Sequence, residues 1–119
     1  SVNYAKERQA FGRPIGSFQA IRHKIAMMAT RTEASRAFAY DTLRRFHEGE
    51  VVVREVSMSK LDSQRALVDI ADEAIQIHGG YGYMREYEVE RALRDARLGP
   101  IGGGTDEIMM EIIGKTYGL

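Results

Sequence analysis

The 119 residues carry 17 basic and 17 acidic side chains, no Cys, no Trp and two Pro. That length suits one domain whose single core needs neither disulfide nor structural metal, and the missing Cys exclude a disulfide scaffold, a thiolate zinc site and a thiol nucleophile. The balanced charge argues against sequence-blind nucleic-acid binding, and no apolar run approaches the ~18–20 residues of a membrane span.

The chain opens at Ser1 without an initiator Met and runs straight into helix-forming sequence, so it reads as a piece of a longer protein. Residues 1–11 are expected to be the tail of a helix whose body lies upstream, with Val2, Tyr4 and Phe11 on it. Ser17 is the expected N-cap of a long helix reaching about His47. Along it Ile21, Ile25, Met28, Thr32, Ser35, Ala39, Leu43 and Phe46 recur in steps of mostly three and four. The turn His47-Glu48-Gly49-Glu50 ends it. A second long helix is predicted from about Val52 to His78, with Val56, Ser59, Ser63, Ala66, Ile70, Glu73 and Ile77 on one stripe, widened by Leu67, Ala71 and Ala74. Many of these are small, which lets two helix axes approach closely. Gly79-Gly80 is expected to form a left-handed C-cap.

A short helix from about Glu86 to Arg97 comes next, then a loop with Pro100 and Gly102-Gly103-Gly104. Thr105 is the expected N-cap of the last helix, with Asp106 and Glu107 in the first turn, where the helix dipole favours carboxylates. That helix runs to about Tyr117. No alternating strand pattern survives inspection; Val51-Val52-Val53 is too short. The expected fold is all-α, a single domain over 1–119: an up-and-down four-helix-bundle-like arrangement with long antiparallel helices and the first helix largely truncated. Apolar stripes facing the missing helix would then lie uncovered.

Four segments could carry chemistry. Glu7-Arg8-Gln9-Ala10-Phe11-Gly12 sets an Arg beside a Gly-flanked loop, a fork suited to phosphate or simply a solvated helix end. Ser17-Phe18-Gln19 opens a helix whose free N–H groups could face an anion. Gln76 to Tyr83 combines Gly with tyrosines: close backbone approach of a ligand, or a cap followed by an aromatic turn. His78 has no carboxylate at a partnering interval and reads as a packed histidine. Pro100 to Ile108 looks like a phosphate cradle, but it lacks the Lys of a P-loop and no strand precedes it, so it equally suits a flexible helix start. The three His are isolated and no carboxylates sit at ligand spacing, so no metal site is expected.

Taken together, Tyr4 to Ile15, Phe18 to Ile21, Gln76 to Tyr83, Leu93 to Arg97 and Ile101 to Ile108 resemble the C-terminal helical domain of the acyl-CoA dehydrogenase family across essentially the whole chain. The resemblance implies FAD as cofactor and an acyl-CoA substrate desaturated between its α and β carbons. It implies FAD contacts for Arg8, Phe11 and Gln19, and for Gln76 and Gly80, toward the dinucleotide of a neighbouring subunit. Thr105 and Glu107 would contact the cofactor of their own subunit, and Gly104 would lie beside the substrate. It further implies a homo-oligomer (a dimer or a dimer of dimers), an electron-transfer flavoprotein as acceptor, and a bacterial cytoplasm or mitochondrial matrix as compartment.

One position departs from the pattern. Where many members carry a catalytic Glu before the Gly-Thr pair, this chain has Gly103, as in the long-chain and isovaleryl-type subgroup. The resemblance then puts the base about 20 residues before Ser1, and no catalytic residue is assigned within the chain. The alternatives are a flavin monooxygenase or acyl-CoA oxidase of the same superfamily, or a non-catalytic helical assembly module.

Overall fold

The computed structural model describes residues 1–119. In chain order it holds α1 (Val2–Glu7), β1 (Gln9–Ala10), β2 (Arg13–Pro14), a 3-10 turn (Ile15–Ser17), α2 (Gln19–His47), α3 (Val53–His78), α4 (Gly80–Tyr83), α5 (Glu88–Ala96) and α6 (Asp106–Thr116). The fold is all-α apart from one minimal hairpin. No helix is long and apolar enough to cross a membrane.

The 29 residues of α2 make a rod of about 44 Å at 1.5 Å per residue, and this sets the long axis of a 57 × 24 × 24 Å particle. Its radius of gyration is 17.5 Å, where a compact chain of this length has about 13.5 Å. The central element is α3, on which α2, α4, α5 and α6 all pack. Its buried face is largely alanine, Ala66, Ala71 and Ala74, with Ile77. Small side chains bring the axes together but remove little apolar area from water, so this core is thin.

Between α2 and α3 the contact is substantially polar. Lys24 pairs with Glu73, Arg31 with Asp69 and Arg45 with Glu55, while the Ser35 hydroxyl donates to Asp62 at 2.6 Å. The two half-exposed pairs, Lys24–Glu73 and Arg31–Asp69, contribute at most about 1 kcal/mol each. On α2 the stripe read from the sequence holds at Ile21, Ile25, Met28 and Ser35, which are half-buried, and is offset by one residue at Thr42. Thr42 is buried, whereas Leu43 and Phe46 are exposed, as are Val56 and Leu67 on α3. The periodicity located the helices, but the buried position near the end of α2 is Thr42, one residue before the expected Leu43.

Three local expectations need correction. Ser17 is not a helix cap: its hydroxyl donates to the Pro14 carbonyl at 2.7 Å, and α2 begins two residues later, after Phe18. Phe11 is not on the first helix, which ends at Glu7. It forms a turn with Gly12, both at positive φ (53° and 78°), between the paired strands β1 and β2. Two positive φ values in succession define the type I′ hairpin turn, so a strand pair exists where none was expected. Gly79 does close α3 at positive φ, but its ψ of −137° is not left-handed helical, and Gly80 opens α4 instead of extending the cap.

Candidate functional site

The first cluster lies where α1 meets the end of α3. Tyr4 stacks on the buried His78, ring centroids 4.2 Å apart, and its hydroxyl donates to the His78 carbonyl at 3.2 Å. The His78 Nδ1 lies 2.7 Å from the Ala74 carbonyl, a geometry in which that nitrogen is the donor. His78 is thus a packed histidine, as its sequence context suggested. Tyr87 sets its edge against Tyr4, and Tyr81 lies 5.3 Å from Tyr87. These rings hold α1 onto α3 and α4.

α4 folds back so tightly that a Cβ on the buried Gly82 would stand 2.5 Å from the Ile75 carbonyl oxygen. Only glycine fits there. The fold-back places Tyr81 under Arg8, whose guanidinium carbon lies 5.3 Å from the ring centroid. A groove of about 530 Å³ results, lined by Tyr4, Arg8, Ile77, His78, Gly80 and Tyr81 among others. Nothing lies within 4 Å of where a Cβ of Gly79 or Gly80 would project, so this backbone is open to a ligand. Arg8 takes part in no ion pair. A cation left free over an aromatic face, beside bare backbone, is suited to an anion.

Of the sequence-predicted residues, Arg8 and Gly80 share this groove, and exposed Gln76 sits one turn before Gly80 on α3. Phe11 and Gln19 do not line it. Phe11 is 95 % exposed and rests its edge on Phe18, 6.1 Å away, and Gln19 follows Phe18 as the first residue of α2. A phenylalanine held at positive φ costs of order 1 kcal/mol, and within the chain the edge contact with Phe18 is its aromatic contact.

The second cluster is the loop from Leu98 to Thr105, set against the N-terminal half of α3. Gly103 and Gly104 both have positive φ, 64° and 97°. Thr105 caps α6 as expected, its hydroxyl accepting from the Ile108 N–H at 3.4 Å. Glu107 is exposed. Its own backbone N–H, then the Thr105 hydroxyl, hold its carboxyl below the usual carboxylate range. Asp106, expected simply to complement the dipole, is instead buried and ion-paired with Arg65 of α3, with Oδ1 left without a partner. Lys60 donates to the carbonyls of Gly99, at 2.9 Å, and of Gly104. No group of three or more His, Asp or Glu side chains comes together as a metal site.

Sequence reasoning did not single out Lys60 or Arg65. For Lys60 a signal existed: residues three and four away on α3 are Val56, Ser57, Ser63 and Gln64, so no carboxylate could occupy it locally. Arg65 and Asp106 are 41 residues apart, and nothing local links them. The two clusters are well separated, since Lys60 and Gln76 lie about 24 Å apart along α3.

The family model for the acyl-CoA dehydrogenase C-terminal domain matches residues 1–118. An acyl-CoA dehydrogenase of Bacillus subtilis is 48% identical over 115 residues, 97% of this chain and 30% of the relative. The caffeyl-CoA reductase-Etf complex subunit CarC of Acetobacterium woodii is 41% identical over 113 residues, 95% of this chain and 30% of that one. The crystal structure of a probable acyl-CoA dehydrogenase from Mycobacterium abscessus superposes with a TM-score of 0.96 at 46% identity, covering 98% of this chain and 31% of the other. The chain thus spans about 30% of the length of the relatives it matches. Within that span the agreement is continuous from Ser1 to the last turn of α6, and the chain belongs to the acyl-CoA dehydrogenase family.

Proposed function

We propose that this chain is the cofactor-contacting and assembly region of an FAD-dependent acyl-CoA dehydrogenase that desaturates an acyl-CoA thioester between its α and β carbons. The family membership carries the reading, and the groove supports it. Arg8, free of carboxylates and standing over Tyr81 beside the bare Gly79-Gly80 backbone, fits a dinucleotide phosphate in charge and access. When bound, FAD supplies the acceptor for the hydride that leaves the β carbon.

In this reading the Arg8 guanidinium binds phosphate oxygens of the dinucleotide held by a neighbouring subunit. Gln76 and Gly80 meet that same dinucleotide, as do Phe11 and Gln19. The exposed, conformationally costly Phe11 is in keeping with a ring that finds its contact outside its own chain. Thr105 and Glu107 contact the cofactor of their own subunit, and Gly104 lies beside the substrate. The separation of the two clusters along α3 suits contacts to two different cofactors. Gly103 has no side chain to accept a proton, so the α proton passes to a carboxylate outside these residues.

The reading includes a homo-oligomer, a dimer or a homotetramer built as a dimer of dimers. Exposed Tyr40, Leu43 and Phe46 on α2 support it. It includes electron-transfer flavoprotein as acceptor, in line with the relative named for an Etf complex. The process is fatty acid metabolism, in a bacterial cytoplasm or mitochondrial matrix.

The test is made on the full-length protein. It is expected to purify with FAD, and anaerobic addition of acyl-CoA thioesters is expected to bleach the flavin absorption and yield the 2-enoyl-CoA. Rapid reoxidation by oxygen with release of hydrogen peroxide would favour the oxidase reading instead. A full-length protein that binds no flavin contradicts the proposal and points to a helical assembly module.

A further inference from the structure

The loop between α5 and α6 holds two successive residues at positive φ and is closed by only a few turn bonds of its own, from the Ile101 and Gly102 N–H groups to Leu98 and from the Asp106 N–H to Pro100, so side chains reaching it from outside bear on its shape. The ties come from one short stretch of α3. The Lys60 ammonium donates to the carbonyls of both Gly99 and Gly104, joining the two ends of the loop through a single cation. Four residues on, the Gln64 side chain occupies the space a Cβ on Gly99 would need. At the next position Arg65 pairs with buried Asp106 in the first turn of α6. Lys60 is in no ion pair, so its donors are not divided with a carboxylate.

A charged donor on neutral carbonyls makes bonds of the stronger kind, and no other cation is bonded to these two oxygens. Arg65 meets the first turn of α6, and Lys60 meets both ends of the glycine stretch that leads to it. We propose that Lys60 is a positioning residue: by closing the loop on itself it holds Gly104 in register with Thr105 and Glu107. The assignment rests on the proposed function, in which Gly104 lies beside the acyl thioester and the other two against the cofactor. Lys60 acts through Gly104 and is not itself assigned a contact with either ligand.

The experiment compares full-length wild type, Lys60→Met and Lys60→Arg, with Lys60→Gln replacing the Met variant if that one does not accumulate folded. Amide exchange is followed at Gly102, Asp106 and Met109, whose N–H groups bond to Leu98, Pro100 and Thr105 carbonyls around the loop. In Lys60→Met these amides are expected to exchange about tenfold faster or more, with those of α2 unchanged. In the flavin-loaded enzyme kcat is expected to fall about tenfold or more, with a smaller change in KM, and Lys60→Arg to recover most of both losses. Unchanged exchange and unchanged kcat in a folded Lys60→Met protein would overturn the proposal. So would faster exchange throughout the domain without rescue by Arg, which marks Lys60 as general scaffolding. If wild type holds no flavin or does not oxidise acyl-CoA, the function reading is what fails, and the exchange data still decide the role of Lys60.

Discussion

The two ends of α3 handle cations in opposite ways. At its C-terminal end Arg8 stands over Tyr81 with no carboxylate partner, beside glycine backbone that nothing covers. At its N-terminal half Lys60 and Arg65 are both engaged within the chain, one by two carbonyls and the other by Asp106. One region leaves its cation without a carboxylate partner; in the other, both cations are spent on partners within the chain. Cations alone would not distinguish them, since both are basic side chains near glycines. What each cation is bonded to does distinguish them.

The largest expected effect breaks the engaged region. Replacing Arg65 by Met strands a buried carboxylate that already has one unpartnered oxygen. It should cost about 3 kcal/mol, at the low end for a broken buried pair because the guanidinium is half exposed. Denaturant unfolding of the full-length protein measures it. A stability equal to wild type would contradict the buried-pair explanation.

Next comes Gly82→Ala, aimed at the open region. The new methyl meets the Ile75 backbone, which cannot swing away as a side chain can, so α4 must shift. A cost of about 1–3 kcal/mol is expected, with Tyr81 displaced from Arg8. Near-UV circular dichroism reports the tyrosine environment, and a spectrum and stability equal to wild type would show that α4 is not held as described.

The smallest effect sharpens the electrostatic side. The first-turn carboxylates Glu55 and Glu107 are both held below the ordinary range, in each case first by the residue's own backbone N–H. The Arg54 guanidinium is next for Glu55, the Thr105 hydroxyl for Glu107. A carboxyl depressed in the folded state stabilises above its unfolded pKa and loses that contribution as pH falls through the folded value. Glu55→Gln should therefore destabilise at neutral pH, and its deficit should close in acid below the carboxylate range. A deficit that widens on acidification would reverse the assigned sign.

Much of the architecture could be read from residue spacing. The helix formers between the glycine clusters delimit α2, α3, α5 and α6 to within about two residues, because 3.6-residue periodicity and glycine stops are local signals. What failed depended on partners distant in sequence or on competing local bonds. Ser17 has the chemistry of a cap, but the Pro14 carbonyl takes its hydroxyl first. Phe11-Gly12 lacks the usual Asn-Gly of a type I′ turn, so the hairpin gave no warning. Leu43 looked like core and Thr42 did not, yet Thr42 is the buried one of the two.

The candidate site divided in the same way. Thr105 and the positive-φ glycines Gly103 and Gly104 follow from local chemistry. The meeting of Arg8 with Tyr81, and of Lys60 with Gly99 and Gly104, arises only once α3 has brought separate segments together.

If the unpaired Arg8 receives an anion of the cofactor, removing its charge must weaken FAD binding. The direct measurement is the FAD dissociation constant of the full-length protein with Arg8→Met against wild type, by equilibrium titration of the apoprotein. Affinity should be lower in the variant by about tenfold to a hundredfold, the scale of one charge-assisted contact, with helix content and unfolding midpoint unchanged. Equal FAD affinity in the two proteins would contradict it.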